Sequence, residues 1–380
     1  MRTPAAAAVL ALLLAVTGCG AFFQCEGKTD CGTSTSVPVV NSGDFVYVTN
    51  NSTNDNYLNG YSLSGGTLTA LTGSPYNLDY VPQAIVIDPN NGFMYIATDP
   101  TFNGDIGYLY GYSISSTGVP TILNSGTALA TENIAAMAIS PNGEWLFTLD
   151  TNGLTVGEYQ INTSTGLLTT ATPVTYTGAS GATAAPSGIA VAPTADFVVL
   201  ALGQGGIVTF PFNETTGDTG PGQSLSTPSS LSIGVAGVTV DSNNNIYAVT
   251  TSGLEVFSST TAGVLSSTPY STSSTGITPE SVVLSKTSYV YTANEGSGTV
   301  SGFTVSTSNP LVSLAGSPYT APPDVDSIGI DNSGNYVVAA GFSGSGGLQV
   351  YSIGSGGALS PVSSQPTSTT IVPTVVALTH

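Results

Sequence analysis

The sequence PTVVAL at residues 373–378 decides the fold, because it is one half of a repeat whose other half lies at the opposite end of the chain. It compares directly with PQAIVI at residues 82–87, which is followed by a turn and a second apolar strand. At the other end, FVYVT at residues 45–49 matches such a second strand but has no first strand before it. Each end therefore supplies the half-repeat that the other lacks.

Six complete copies of the same pattern lie between these halves. Each copy has an apolar first strand, a turn, a second strand, a third strand with an aromatic residue, and a fourth strand near a Ser-Pro pair. The turns fall 44 to 52 residues apart, a period typical of a four-stranded propeller blade. The first strands are AIVI (84–87), AMAI (136–139), GIAV (188–191), GVTV (237–240), SVVL (281–284) and SIGI (327–330).

These repeats predict an all-β chain that forms one seven-bladed β-propeller over residues 43–380, with four antiparallel strands in each blade. Pairing of the two half-repeats closes the ring through the C-terminal strand and removes the sheet edge that an open array would expose. In each first strand a small residue such as Gly188 precedes a large apolar one such as Ile189. Because side chains alternate along a strand, we expect the small residues near the axis and the large ones between blades.

The amino-terminal segment has the features of a bacterial lipoprotein signal peptide, predicted to span residues 1–18. Arg2 precedes an apolar stretch that is too short to span a bilayer. The stretch ends in VTGC at residues 16–19, which resembles the lipobox and predicts lipidation of Cys19. Gly20 follows where an inner-membrane retention signal would have Asp, so the expected location is the cell envelope, with the outer membrane favoured.

Residues 19–42 are predicted to form a tether between the lipid anchor and the folded body. Cys25 and Cys31 are an even pair in this tether, and in an oxidising compartment they predict a small disulfide loop. Two cysteines without a neighbouring histidine do not complete a zinc site.

Charge excludes nucleic acid as a partner, because three Lys and Arg residues against 22 Asp and Glu cannot neutralise a phosphate backbone. Membrane attachment is therefore expected to come from the lipid alone.

Two groups of motifs carry a resemblance to known families. VYVTN at residues 46–50 and VYTAN at residues 290–294 resemble the repeat of the YVTN family of surface β-propellers. YSLSGGTL at residues 61–68 and GSPY at residues 316–319 resemble the seven-bladed lactonase family that includes bacterial 6-phosphogluconolactonase. That resemblance implies hydrolysis of a lactone, with Arg, His and Glu side chains as the working groups. Here the only Arg lies in the predicted signal peptide and the only His is His380, so it is uncertain from the sequence whether the protein is an enzyme.

Carboxylates are the remaining candidates for acid–base chemistry. Glu280 and Asp326, the two candidate catalytic residues, occupy the same repeat position in neighbouring blades, and Asp324 lies close by. Like charges held together raise the pKa of one carboxyl group, or they bind a hard cation such as calcium. Asp79 and Glu132 precede the first strands of other blades and complete the candidate ligand-binding or cation-binding set. The structural alternative is separate, solvated loop carboxylates.

Two further patterns have mainly structural interpretations. DSNNN at residues 241–245 and DNSGN at residues 331–335 resemble the start of a calcium-binding EF-hand loop, but the acidic twelfth ligand is absent, which favours hairpin turns. Aromatic residues of the second strands are expected in the core. Loop aromatics are candidates for stacking on a neutral glycan: Tyr57, Tyr80, Phe102 and Phe342.

The leading interpretation is a lipid-anchored envelope propeller that binds a ligand or a protein partner through its loop face, without catalysis and with no certain cofactor. The alternative is a lactonase-like hydrolase of a sugar lactone or another uncharged lactone, using carboxylates and water. A structural envelope protein is a third interpretation. Fold likeness does not choose among them, since propellers host unrelated functions.

Overall fold

The computed structural model describes residues 44–52, 55–102, 104, 106–151, 155–176, 184–224, 234–286, 288–306, 309–342, 347–362 and 373–380. The predicted signal peptide and tether, with Cys19, Cys25 and Cys31, lie outside the described residues. Within the described ranges, no helix has both the length and the apolar character needed to cross a membrane.

Seven antiparallel sheets form the seven blades of a propeller, as the repeats predict. The first strands of successive blades contact one another around the ring, so they form its inner wall. From the inner strand outward, blade 1 contains Pro373–Leu378, Phe45–Ser52, Asp55–Ser64 and Thr67–Ala70. Blade 2 contains Pro82–Ile87, Phe93–Thr98, Tyr108–Ile114 and Pro120–Ile122. Blade 3 contains Ile134–Ile139, Trp145–Asp150, Thr155–Ile161 and Leu168–Thr170.

The remaining blades follow the same order. Blade 4 contains Gly188–Val191, Phe197–Ala201, Ile207–Pro211 and Gln223–Ser224. Blade 5 contains Val235–Val240, Asn245–Thr250, Gly253–Ser258 and Ser271–Ser273. Blade 6 contains Pro279–Leu284, Tyr289–Asn294, Thr299–Ser306 and Asn309–Ser313. Blade 7 contains Val325–Ile330, Tyr336–Gly341, Gly347–Ile353 and Leu359–Pro361.

Short elements complete the blades. Two-residue strands pair with the third strands of blades 1, 2, 3 and 6: Tyr76–Asn77, Ala130–Thr131, Val174–Thr175 and Tyr319–Thr320. The described residues also contain three short 3-10 helices: Pro100–Phe102, Asn124–Gly126 and Glu295–Ser297.

The C-terminal strand closes the ring. Leu378 pairs with Val46 and Val376 pairs with Val48 in an antiparallel register. Just beyond this strand, Thr379 Oγ1 accepts a hydrogen bond of 2.8 Å from the Phe45 N–H group. Blade 1 is therefore built from both ends of the described chain, and the predicted closure is confirmed.

The core lies between blades rather than within them. Seven clusters of buried apolar side chains are each shared by two neighbouring blades. Large residues of the inner strands, among them Ile189, Val282 and Ile328, belong to these clusters, as their alternation predicts. Inner strands also approach closely at small residues, since a Cβ atom on Gly188 would lie 3.4 Å from the Gly237 Cα atom.

Neighbouring blades are also tied by buried tyrosine hydroxyls. Tyr47 donates a hydrogen bond of 2.6 Å to the Gly118 carbonyl of the next blade, and Tyr95 donates one of 2.9 Å to the Gly166 carbonyl. Gly118 has a φ of 79°, and a Cβ atom there would lie 2.5 Å from Phe45 Cδ1. Glycine is required at this turn both by its backbone conformation and by the close approach of an aromatic ring.

Candidate functional site

The propeller has two ends of different character. We call the end at which the inner strands begin the loop face; it includes residues 276–280, 295–298 and 321–326. The end at which the inner strands turn back into the second strands is the hairpin face; it includes residues 88–92 and 331–335.

Three carboxylates of the loop face form the candidate site, which we call the carboxylate group. Glu280 lies near the start of the inner strand of blade 6, and Asp326 holds the same place in blade 7. Glu295 opens the 3-10 turn between the second and third strands of blade 6. The charge of Glu295 raises the pKa of Glu280, and both glutamates raise the pKa of Asp326. The structure thus brings Glu280 and Asp326 together, as predicted from their repeat positions.

Burial is the main electrostatic influence on these carboxyl groups. Removal from water disfavours the charged form, and this effect is the largest cause of the raised pKa of Glu280. For Asp326, burial and the two neighbouring glutamates raise the pKa to about 7, although the backbone N–H groups of Asp326 and Ser327 favour its charged form. Asp326 is therefore half-protonated near neutral pH.

Two polar oxygens at this site have no hydrogen-bond partner among the described residues. They are the buried Asp326 Oδ1 and the buried Ser281 Oγ, on the inner strands of adjacent blades. A buried polar atom without a partner costs free energy, and in native proteins it is usually satisfied by water or a ligand. These atoms mark the place where the site would hold a polar molecule.

The position of Glu295 depends on a tight local contact between two loops. Its N–H group donates a hydrogen bond of 2.8 Å to the carbonyl of Thr278, a non-glycine residue with a φ of 52°. A Cβ atom on Gly296 would overlap Thr278 Oγ1, so only glycine allows this approach. Glu295 was not singled out from the sequence, because its place depends on this loop contact and not on its repeat position.

Asn294, the last residue of the VYTAN motif, holds the same loop through side-chain hydrogen bonds. Asn294 is fully buried and donates hydrogen bonds to Thr299 Oγ1 at 3.2 Å and to Ser301 Oγ at 3.0 Å. Its Oδ1 atom accepts a hydrogen bond of 3.1 Å from Thr292. The motif that carries the YVTN resemblance therefore holds the turn that presents Glu295.

A cavity of about 340 Å³ opens on the loop face beside the turn that carries Glu295, and its lining does not include the three carboxyl groups. Thr278 and Ser297 belong both to its wall and to the loops that position Glu295. Its lining is rich in hydroxyl side chains, which include Thr251, Ser252, Ser274, Thr275 and Thr299. Such a lining suits a hydroxyl-bearing ligand.

The other predicted site residues lie in different surroundings. Asp324 has a φ of 50° and lies two residues before Asp326, but the charges that raise the pKa of Asp326 are those of Glu295 and Glu280. Asp79 is exposed in the loop before blade 2, where its charge acts on neighbouring tyrosines.

Glu132, before blade 3, has its own hydrogen-bond partners. It accepts hydrogen bonds from Thr148 Oγ1 at 2.8 and 2.9 Å and from the Tyr159 hydroxyl at 2.8 Å. Burial raises the pKa of Glu132, and the charge of Asp150 raises it further.

No three His, Cys, Asp or Glu side chains of the described residues are grouped so as to hold a metal ion. Calcium therefore stays a prediction without a ligand set in that part of the chain.

The loop aromatics are partly engaged within the protein. The Tyr80 ring stacks on Tyr110 with centroids 4.5 Å apart, and its hydroxyl lies 2.8 Å from that of Tyr112. One face of the Tyr80 ring is therefore covered. Phe342 is 36% exposed, and the side chain of Phe102 lies outside the described set.

Part of the chain resembles a known protein family. Residues 239–373 match the family model described as Lactonase, 7-bladed beta-propeller. The predicted resemblance to the seven-bladed lactonases is confirmed. The matched range contains all three members of the carboxylate group. No curated protein sequence matches the chain.

Solved structures share the fold at low sequence identity. A putative 6-phosphogluconolactonase from Bacteroides uniformis ATCC 8492 is 16% identical with a TM-score of 0.70, over 88% of this chain and 99% of that one. The periplasmic gluconolactonase PpgL from Pseudomonas aeruginosa is 13% identical with a TM-score of 0.69, over 89% of this chain and 99% of that one.

These findings correct the leading interpretation from the sequence. A propeller that only binds a ligand or partner was favoured because Arg and His are missing from the repeats. The family match and the names of the similar structures point instead to the lactonase alternative. The absence of Arg and His from the repeats does not exclude catalysis, because carboxyl groups also serve as general acids and bases.

Proposed function

We propose that the protein hydrolyses an uncharged lactone at the loop face, with Asp326 and Glu280 as its acid–base groups. The observation that carries the proposal is the buried, unpartnered Asp326 Oδ1 beside the charges of two glutamates, within the range that matches the lactonase family. Glu295 supports the site by keeping both neighbouring carboxyl groups easy to protonate.

The chemistry needs one base and one acid. Ionised Glu280 accepts a proton from a water molecule as the water oxygen bonds to the lactone carbonyl carbon. The tetrahedral intermediate then breaks its bond to the ring oxygen, which takes a proton from Asp326. The product is an open-chain hydroxy acid, and both carboxyl groups return to their starting states by proton exchange with solvent. A pKa of about 7 suits Asp326 to this step, since both of its forms are present at neutral pH.

Charge favours a neutral substrate. A phosphorylated lactone would meet three carboxylates on the loop face, without the charge-assisted hydrogen bonds that Arg or Lys gives to phosphate. The Lys of the described residues, Lys286, lies on the hairpin face. The hydroxyl-lined cavity beside Glu295 supports a hydroxylated, uncharged ring as the substrate.

The proposal is tested by incubating the purified protein with a panel of neutral and phosphorylated lactones. Hydrolysis is measured by the release of protons. We expect turnover of neutral lactones, with a loss of about 10²- to 10⁴-fold in kcat for Asp326→Asn and for Glu280→Gln. Asp324→Asn is the matched control, because it removes a neighbouring charge outside the carboxylate group. Rates no faster than buffer across the panel, or an equal loss in the Asp324→Asn control, would contradict the proposal.

We also propose that the enzyme acts at the cell envelope, held by a lipid on Cys19. The lipobox-like VTGC sequence supports this location. Metabolic labelling with an alkyne fatty acid should tag the wild-type protein and not the Cys19→Ala variant. Unchanged labelling of that variant would refute the anchor.

A further inference from the structure

A second and larger cavity opens on the hairpin face, away from the carboxylate group. Its volume is about 820 Å³, within the range of sites that bind drug-sized ligands. Its walls come from the ends of inner strands in blades 4, 5, 6, 7 and 1, so it forms the mouth of the central channel at this face. The proposed hydrolysis does not use this cavity.

Aliphatic side chains form about half of its walls, and polar residues of the turns form the rest. The inner strands contribute one or more apolar residues from each of five blades: Val191, Val240, Val282, Leu284, Ile330, Val376 and Leu378. Val191, Leu284 and Ile330 are only partly buried, so they present apolar surface to the opening. Apolar surface of this kind is stabilised by covering it with a hydrocarbon.

Lys286 gives the rim of the cavity a positive charge. Its Nζ atom donates hydrogen bonds of 2.7 Å to the Asn332 carbonyl and 3.0 Å to Asn332 Oδ1, which hold it between the turns of blades 6 and 7. An ammonium group has three N–H donors, so one remains for a ligand. Lys286 is the one Lys or Arg among the residues that the structure describes.

His380 lies at the same rim. Its N–H group donates a hydrogen bond of 2.8 Å to Asn91 Oδ1, and Asn91 Nδ2 donates one of 2.9 Å to the His380 carbonyl. Burial lowers the pKa of its imidazole, which keeps the ring uncharged at neutral pH. The positive charge that faces the cavity is therefore that of Lys286.

The acidic residue of the cavity lining is committed to its own turn. Asp241 Oδ1 accepts hydrogen bonds of 2.8 Å from the N–H groups of both Asn243 and Asn245. Its oxygens accept hydrogen bonds from these donors. The charge of Lys286 also acts on Asp44, a carboxyl group outside the lining, whose pKa burial raises and Lys286 lowers. Among the lining residues, the Lys286 ammonium is the positively charged donor for an anionic ligand.

We propose that the hairpin-face cavity binds an amphipathic monoanion, with a hydrocarbon body against the aliphatic walls and a carboxylate or sulfonate held by Lys286 Nζ. The ligand combines a hydrocarbon body with one negative charge because the site combines apolar walls with a single ammonium group. The inference stands independently of lactone hydrolysis at the other face.

Calorimetric titration of the whole protein with dodecanoate, below its critical micelle concentration, tests this proposal. Dodecanol and dodecyltrimethylammonium serve as neutral and cationic probes of the same chain length. Lys286→Met keeps the length and apolar stem of an exposed side chain while it removes the charge. Lys28→Met is the matched control, because it removes an equal charge outside the described residues.

We expect one dodecanoate to bind per chain. The affinity should fall at least about tenfold in Lys286→Met and stay unchanged in Lys28→Met. Dodecanol should bind both variants and the wild type equally. Lack of saturable binding, equal loss in the two variants, or tighter binding of dodecyltrimethylammonium would overturn the proposal. Because the readout is binding at the hairpin face, it stays informative whether or not the loop face hydrolyses lactones.

Discussion

Carboxylates at the two ends of the propeller have opposite surroundings, although they belong to the same repeat. On the hairpin face, Asp331 Oδ1 accepts hydrogen bonds of 2.9 Å from the Asn335 N–H group and 2.7 Å from the Tyr336 N–H group. Asp241 is held in the same way by its own turn. On the loop face, Asp326 Oδ1 has no such partner among the described residues. The turn satisfies the carboxylates of the hairpin face, whereas Asp326 keeps one buried oxygen without a partner among the described residues.

This difference shows that an acidic residue in a propeller repeat cannot be judged by its type alone. The predicted turn role of Asp241 and Asp331 is confirmed, since each caps the hairpin between two strands. Asp326 is the second residue of its strand, and burial with the charges of Glu295 and Glu280 raises its pKa although two backbone N–H groups favour its charged form.

The largest expected effect is on activity and comes from the loop face. If protonated Asp326 is the acid, kcat/KM should fall as the pH rises above a pKa of about 7. Between pH 7 and pH 9 the fall should be about fiftyfold, because loss of one proton removes the acid. A pH-rate profile measures this, and Asp326→Asn should lose the dependence in that range. A rate that rises as the pH increases through 7 would show that the ionised form is the active one.

The next effect is on stability and comes from the hairpin face. Asp331→Ala leaves the N–H groups of Asn335 and Tyr336 without their acceptor, so we expect a loss of about 1–3 kcal/mol in the free energy of unfolding. Denaturant unfolding measures it, with turnover per folded molecule expected to stay unchanged. A loss of turnover would mean that the two ends are not independent.

A smaller effect of opposite sign is expected at the loop face. The pKa of Asp326 is raised from 3.8 to about 7, so the folded state binds its proton more tightly than the unfolded state does. This carboxyl group therefore costs stability progressively as the pH rises from about 4 through 7. Asp326→Asn should match the wild type at pH 4 and exceed it at pH 8 by about 1 kcal/mol, a value reduced for partial exposure.

Thermal unfolding at the two pH values checks this prediction. Glu158, a buried residue whose pKa is also raised to about 7, should add a pH dependence of the same sign in both proteins. The difference between variant and wild type isolates Asp326. A variant that is less stable at pH 8 would contradict the electrostatic account of the site.

The smallest effect is expected for Asp331→Asn. An amide oxygen accepts the same hydrogen bonds from the turn, so the cost should stay below about 1 kcal/mol. Comparison with Asp331→Ala by denaturant unfolding separates the hydrogen bonds from the charge. Equal losses in the two variants would show that the hairpin face depends on charge after all.

The sequence predicted the architecture well because the repeat is encoded locally. The apolar run at residues 373–378 needed a partner, and the one strand without its own was at residues 45–49. The same reasoning predicts that Glu280 and Asp326 are neighbours, and the charge of Glu280 does act on Asp326; their role as site residues stays a prediction.

Tertiary contacts explain what the sequence did not predict. Glu295 reaches the site only through the contact between its turn and Thr278. His380 is held on the hairpin face by its hydrogen bonds with Asn91, far away in sequence. Neither contact leaves a periodic signal in the sequence.

Closure of the ring by Pro373–Leu378 has a consequence for how the protein is made. The strand pairs with Phe45–Ser52, more than 300 residues earlier, so the inner edge of the first blade stays unpaired while the other six blades emerge. Contacts of such long sequence separation slow folding, because the loop must close before the contact contributes. The ring thus closes only after residues 373–378 have been made, and until then the strand Phe45–Ser52 is exposed to pairing with the wrong neighbour.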